Sequence, residues 1–131
     1  MKKIITIIII AFILFALYKA TSKPNISPVN TNTDSSDLIL YWGEGCPHCE
    51  NVKDYIKANN LDQKLKINQE EVYSDKQNQQ ELRNSIIKYC PEIDITKGIG
   101  VPMGFDPKEN KCIQGDKPII DFINQKAGIN Q

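Results

Sequence analysis

Hydrophobic positions fall along this chain in three patterns that predict three differently built segments. From Ile4 to Tyr18 every residue is uncharged and only Thr6 interrupts the apolar run. No polar face is present, so this is not an ordinary core helix. Its 15 residues would span roughly 22 Å as a helix, short of a hydrocarbon core of about 30 Å. That length fits a membrane anchor or a signal-peptide apolar region. Ala20-Thr21-Ser22 is a poorly written cleavage site, and snorkelling Lys3 and Lys19 would help the run to span, which favours an uncleaved anchor. Either way, Lys2 and Lys3 hold the N-terminus in the cytoplasm and the rest of the chain is exported. Residues 19–36, rich in Ser, Thr, Asn and Pro, predict a disordered linker with nothing to bury.

From Asp37 onward the pattern changes to short apolar blocks separated by helical spacings. Leu38-Ile39-Leu40-Tyr41-Trp42, bounded by Asp37 and Gly43, predicts a central strand buried on both faces. Cys49, Val52, Tyr55 and Ile56 recur at helical spacing after Pro47, a residue suited to a first helical turn. A second strand is expected within Lys64 to Tyr73, and a second helix from Asp75 to Tyr89, closed by Pro91. Gly100 to Phe105 and Lys111 to Gln114 predict a hairpin across a turn-rich connection. Asp116 is the expected cap of a last helix, Lys117 to Lys126, with Gly128 beyond its end. The fold class is therefore α/β, in the order β-α-β-α-β-β-α, with the first two strands parallel through a right-handed crossover. Residues 1–18 are the anchor or signal segment, 19–36 the linker and 37–131 the folded domain.

Lys+Arg and Asp+Glu each total 16, giving a formal charge of zero. No cationic surplus is available for nucleic acid. The zero hides an asymmetry: residues 1–36 carry Lys2, Lys3, Lys19 and Lys23 against Asp34, whereas residues 37–131 carry twelve cations against fifteen anions. A basic, apolar N-terminus thus precedes a mildly acidic domain.

The chemistry concentrates in Cys46-Pro47-His48-Cys49, which contains the chain's single His. A C-x-x-C at the junction of a buried strand and a helix is the context of a redox motif. At the helix N-terminus, unpaired N–H groups and the helix dipole stabilise the Cys46 thiolate. Cys49, one turn deeper on the apolar stripe, is the protected resolving thiol. His48, when protonated, would add positive charge beside the Cys46 sulfur and tilt the pair towards an oxidant. Two bland readings compete: half of a zinc site, though such sites usually bring a second close pair, and an inert disulfide, though so short a loop constrains little.

Tyr41 to Cys49 resembles the active-site segment of the thioredoxin superfamily, with Trp42 and Glu44 where thioredoxins often carry Trp and Glu, and the Cys-Pro-His-Cys form is similar to that of periplasmic disulfide-bond (Dsb) oxidases. Gly100-Val101-Pro102 resembles the superfamily's cis-proline loop, and Gly115-Asp116 resembles the glutaredoxin end of the fold. The resemblance covers about Asp37 to Lys126. It implies a small, glutaredoxin-sized domain whose four-stranded mixed sheet has helices on both faces. It implies Cys46 as nucleophile, Cys49 as resolving thiol, and Pro47 and His48 as redox tuners. It further implies a substrate groove of Trp42, Glu44, Val101 and a cis Pro102, with Val101 offering its backbone to an extended chain. Leu40 stands where thioredoxins usually keep a buried acid.

Cys90 and Cys112 lie 22 positions apart. In an exported protein a structural Cys90–Cys112 disulfide is the leading expectation, with a relay of disulfides to or from Cys46 as the alternative. The expected function is extracytoplasmic thiol–disulfide exchange with cysteine-containing exported proteins, the domain being held at the membrane by its N-terminal segment or secreted if that segment is cleaved. A membrane redox partner would recharge it, and no cofactor is expected. The alternatives are the same chemistry run as a reductase, and a metal-binding domain using Cys46, His48 and Cys49.

Overall fold

In the computed structural model of the chain, which describes Phe15 and residues 35–129, the apolar block after Asp37 forms strand β1, Leu38–Trp42. A strand apolar on both faces has to be covered on both, and β1 takes the middle of the sheet. It pairs in parallel with β2, Ile67–Glu71, Leu38 lying opposite Ile67 and Trp42 opposite Glu71. On its other side it pairs antiparallel with β3, Met103–Asp106, which pairs antiparallel with β4, Lys111–Gln114. The sheet order is β2-β1-β3-β4. The helices are α1, Pro47–Ala58, α2, Lys76–Tyr89, and α3, Asp116–Ala127.

Strand alternation divides the core in two. Leu38 and Leu40 meet Val52 and Ile56 of α1, Ile119 and Ile123 of α3, and Ile113 of β4. Ile39 and Tyr41 point the other way, onto Leu82 and Ile86 of α2, with Met103 and Phe105 beside them. Each fully buried aliphatic side chain of these layers contributes about 1.5–3 kcal/mol. Gly104 lets α3 approach the sheet: a Cβ there would stand 3.1 Å from a Leu38 methyl and 3.3 Å from Ile119. The expected arrangement, a small α/β domain with a mixed four-stranded sheet and three helices, is the one observed, and the helices lie on both faces.

A disulfide joins Cys90, at the end of α2, to Cys112 of β4, with Cα atoms 6.1 Å apart. It fastens the lone helix of its layer to an edge strand. The preceding Tyr89 stacks on Phe105 at 5.4 Å.

Three boundaries differ from expectation. A 3-10 turn, Leu61–Gln63, buries Leu61 and delays β2 to Ile67. β3 begins at Met103, not Gly100, because Pro102 has no N–H for the ladder; the Val101–Pro102 peptide is cis. The cap of α3 is Gly115, at φ 94°, and Asp116 is already helical. One oxygen of its carboxylate accepts from the Lys117 N–H and the other reaches across to α1. The predicted membrane segment, Phe15 apart, and the linker as far as Asp34 lie outside the described residues. Among the described residues no helix is long and apolar enough to cross a membrane.

Candidate functional site

The turn from β1 into α1 sets the geometry of the cysteine pair. Gly45 takes φ 73°, a left-handed conformation that costs glycine no side-chain clash. Cys46 comes next as an extended N-cap at φ −89°, ψ 108°, and Pro47 occupies the first helical turn. The Cys46 carbonyl accepts from the N–H of Cys49 at 3.0 Å and of Glu50 at 3.1 Å. Its Sγ also accepts from the Cys49 N–H, at 3.2 Å. A helix N–H aimed at sulfur, together with the dipole, favours negative charge there.

Cys46 and Cys49 form a disulfide, with Cα atoms 5.3 Å apart. The two cysteines differ in access: Cys46 keeps 8 % of its surface exposed and Cys49 none. Of the pair, Cys46 is therefore the one that solvent touches.

The cis-proline loop lies against the same sulfur. The Val101 carbonyl oxygen is 3.7 Å from Cys46 Sγ, and no backbone hydrogen bond among the described residues uses the Val101 N–H or C=O. Pro102 is buried behind it, its carbonyl accepting from the Gly115 N–H at 3.1 Å. That bond couples the loop to the start of α3.

Beside Gly115, Asp116 gathers three contacts. His48 Nδ1 lies 3.0 Å from its Oδ2, Asn51 Nδ2 donates to the same oxygen at 3.0 Å, and the Lys117 N–H donates to Oδ1 at 2.9 Å. The hydrogen bond from His48, then that from Asn51, then the backbone N–H of Lys117 hold the Asp116 carboxyl well below the usual carboxylate range. The starts of α1 and α3 are thus tied together directly, and His48 is not left pointing freely at the thiol.

The remaining expected residues sit further off. Trp42 ends β1 with Lys53 of α1 over its ring, 3.8 Å from the centroid, and with its indole N–H buried without a partner. Pro47 is exposed on the first turn of α1. Glu44 is exposed, and its side chain makes no hydrogen bond or ion pair among the described residues. Cys46, Cys49, His48, Val101 and Pro102 are brought together; Trp42 and Glu44 flank the turn. Asn51 and the link role of Asp116 were missed, since Asp116 looks like a helix cap in sequence. No short-range signal joins His48 to Asp116, 68 positions away.

Among the described residues no set of three His, Cys, Asp or Glu side chains is arranged to hold a metal ion. The three donors of the metal alternative are engaged otherwise, Cys46 with Cys49 and His48 with Asp116. Compared with family models, with curated proteins and with solved structures, the chain matches none.

Proposed function

We propose that this chain is an extracytoplasmic thiol–disulfide oxidoreductase of thioredoxin-like fold, oxidising cysteine-containing exported proteins through Cys46–Cys49. The observation that carries the reading is the disulfide at a helix N-terminus with one cysteine, Cys46, partly exposed and the other, Cys49, enclosed, beside the Val101 backbone. A substrate thiolate attacks Cys46 Sγ. The Cys46–Cys49 bond breaks, Cys49 leaves as a thiolate that takes up a proton, and a mixed disulfide joins substrate to Cys46. A second substrate thiolate then attacks the substrate sulfur and releases the Cys46 thiolate, which the helix N-terminus stabilises. Two substrate thiols become a disulfide as the protein disulfide becomes a dithiol. An extended substrate strand pairs with the Val101 backbone to present its sulfur. The N-terminal segment holds the domain at the membrane, where a redox partner restores the disulfide.

A second reading, the same chemistry as a reductase kept reduced by a membrane electron donor, is favoured by the Asp116 carboxylate, which offsets the His48 charge. The reduction potential decides between them: equilibration with glutathione should place Cys46–Cys49 above about −200 mV for an oxidant and near −270 mV or below for a reductase. Exchange itself is tested by substitution. Cys46→Ser abolishes thiol oxidation and insulin reduction alike, whereas Cys49→Ser accumulates a mixed disulfide on Cys46; activity retained in Cys46→Ser sinks both readings.

A further inference from the structure

A cleft of about 510 Å³ opens beside the cis-proline loop, walled by Val101, Ile99 and Gly98 on one side and by Tyr73 and α2 on the other. It begins at the residue whose carbonyl lies 3.7 Å from Cys46 Sγ. Tyr73 is 59 % exposed, and its ring packs so closely on Gly43 that a Cβ there would stand 2.5 Å from it. The aromatic wall is thus set by the turn that carries the cysteines. The cleft is large enough to receive side chains of a bound chain.

The charge of the cleft is one-sided. Among the described residues, the only charged ones lining it are Lys76 and Arg83, seven apart and on one face of α2. Arg83 is the chain's single arginine. Neither makes a hydrogen bond or ion pair among the described residues. Two acids at the entry to α2 are committed elsewhere: Asp75 caps α2 through the N–H groups of Gln77 and Asn78, and Glu71 accepts from the N–H groups of Tyr73, Ser74 and Asp75. Two unpaired cations, one a planar fork shaped for a carboxylate, face a cleft with no anion in its wall.

We propose that this cleft selects polypeptides carrying an acidic residue within about four positions of the reacting cysteine, a reach of about 13 Å in an extended chain, with the carboxylate held between Lys76 and Arg83 and its apolar neighbour laid against Tyr73 and Ile99. The proposal rests on the redox reading above for the identity of the reacting cysteine, though not for the binding itself. The occupant is an acidic segment of an exported protein, chosen because the domain otherwise carries more anions than cations and would repel it elsewhere.

The test uses the full-length oxidised chain and peptides of about ten residues whose central position is Ser for binding and Cys for exchange, with Glu, Gln or Lys three positions away. The Glu peptide binds about fivefold tighter than the Gln peptide at low salt, and the preference disappears as salt screens it. In the Lys76→Glu/Arg83→Glu variant the order inverts in favour of the Lys peptide, an inversion that a misfolded protein would not give. Absence of a preference in the parent chain, or a preference unchanged in the variant, overturns the proposal. Exchange with dithiothreitol separates the two readings. A chain that prefers Glu peptides but exchanges with no thiol keeps the cleft and loses the redox function; one that exchanges without charge preference keeps the function and loses the cleft.

Discussion

His48 Nδ1 lies 3.0 Å from Asp116 Oδ2, joining the first turn of α1 to the first turn of α3 across 68 residues of sequence. A histidine between the two cysteines would otherwise lend its positive charge to the Cys46 thiolate and make the disulfide more oxidising. Paired with a carboxylate, that charge is partly cancelled at the sulfur.

Asp116→Asn should therefore raise the Cys46–Cys49 potential by about 10–30 mV, a two- to tenfold shift in the exchange equilibrium with glutathione. In a His48→Gln background the same substitution should leave the potential nearly unchanged, since Asp116 acts through His48. Equal shifts in both backgrounds would exclude the pairing as the cause. Because the folded-state pKa of Asp116 is lowered from 3.8, its pairing is fully present above that pH. The carboxylate's half of the pair is lost as pH falls further, through the lowered value.

Removing the second disulfide should cost stability without costing chemistry. Cys90→Ala/Cys112→Ala frees a loop closed across 22 residues, worth about 3 kcal/mol in the chain-entropy model. For a domain of this size that lowers Tm by on the order of 10–20 °C. Thiol-exchange rates below the new Tm stay at the parent value. An exchange rate that collapses while the domain is still folded would instead mark Cys90 or Cys112 as a relay.

Asp106 tests a buried charge at the far end of the sheet. It is fully inaccessible, accepts from the N–H of Lys108 at 2.8 Å and of Glu109 at 3.3 Å, and pairs with Lys126 Nζ at 3.0 Å. Burial pushes its pKa up, but the bond from Lys126 and the two backbone N–H groups outweigh it, leaving the pKa lowered from 3.8. Its contribution is complete above that value and fades as pH drops through the folded pKa. Asp106→Asn should lose about 1–3 kcal/mol at neutral pH, and urea titrations should show the parent and variant converging as the pH falls below 3.8. A stability gap that stays constant down to strongly acid pH would show that Asp106 acts by packing alone.

The sequence by itself determined what is local. The continuous apolar run of Leu38 to Trp42, the helical spacing after Pro47 and the stop at Pro91 are short-range patterns, and they located the four strands and three helices of the described residues to within a few positions. The same short range placed Cys46 at a helix N-terminus and Cys49 on its buried stripe, because capping and amphipathicity are decided within one turn. Where a boundary moved, a feature invisible to periodicity was responsible: a 3-10 turn burying Leu61 ahead of β2, and the missing N–H of Pro102 ahead of β3. Only the tertiary structure decided the rest. The sheet order β2-β1-β3-β4 carries Val101 to the Cys46 sulfur across 55 residues and Asp116 to His48 across 68, and leaves Lys76 and Arg83 on a cleft beside them. Such contacts depend on which strands pair and which helix covers which face, and no local pattern of side chains encodes that distance.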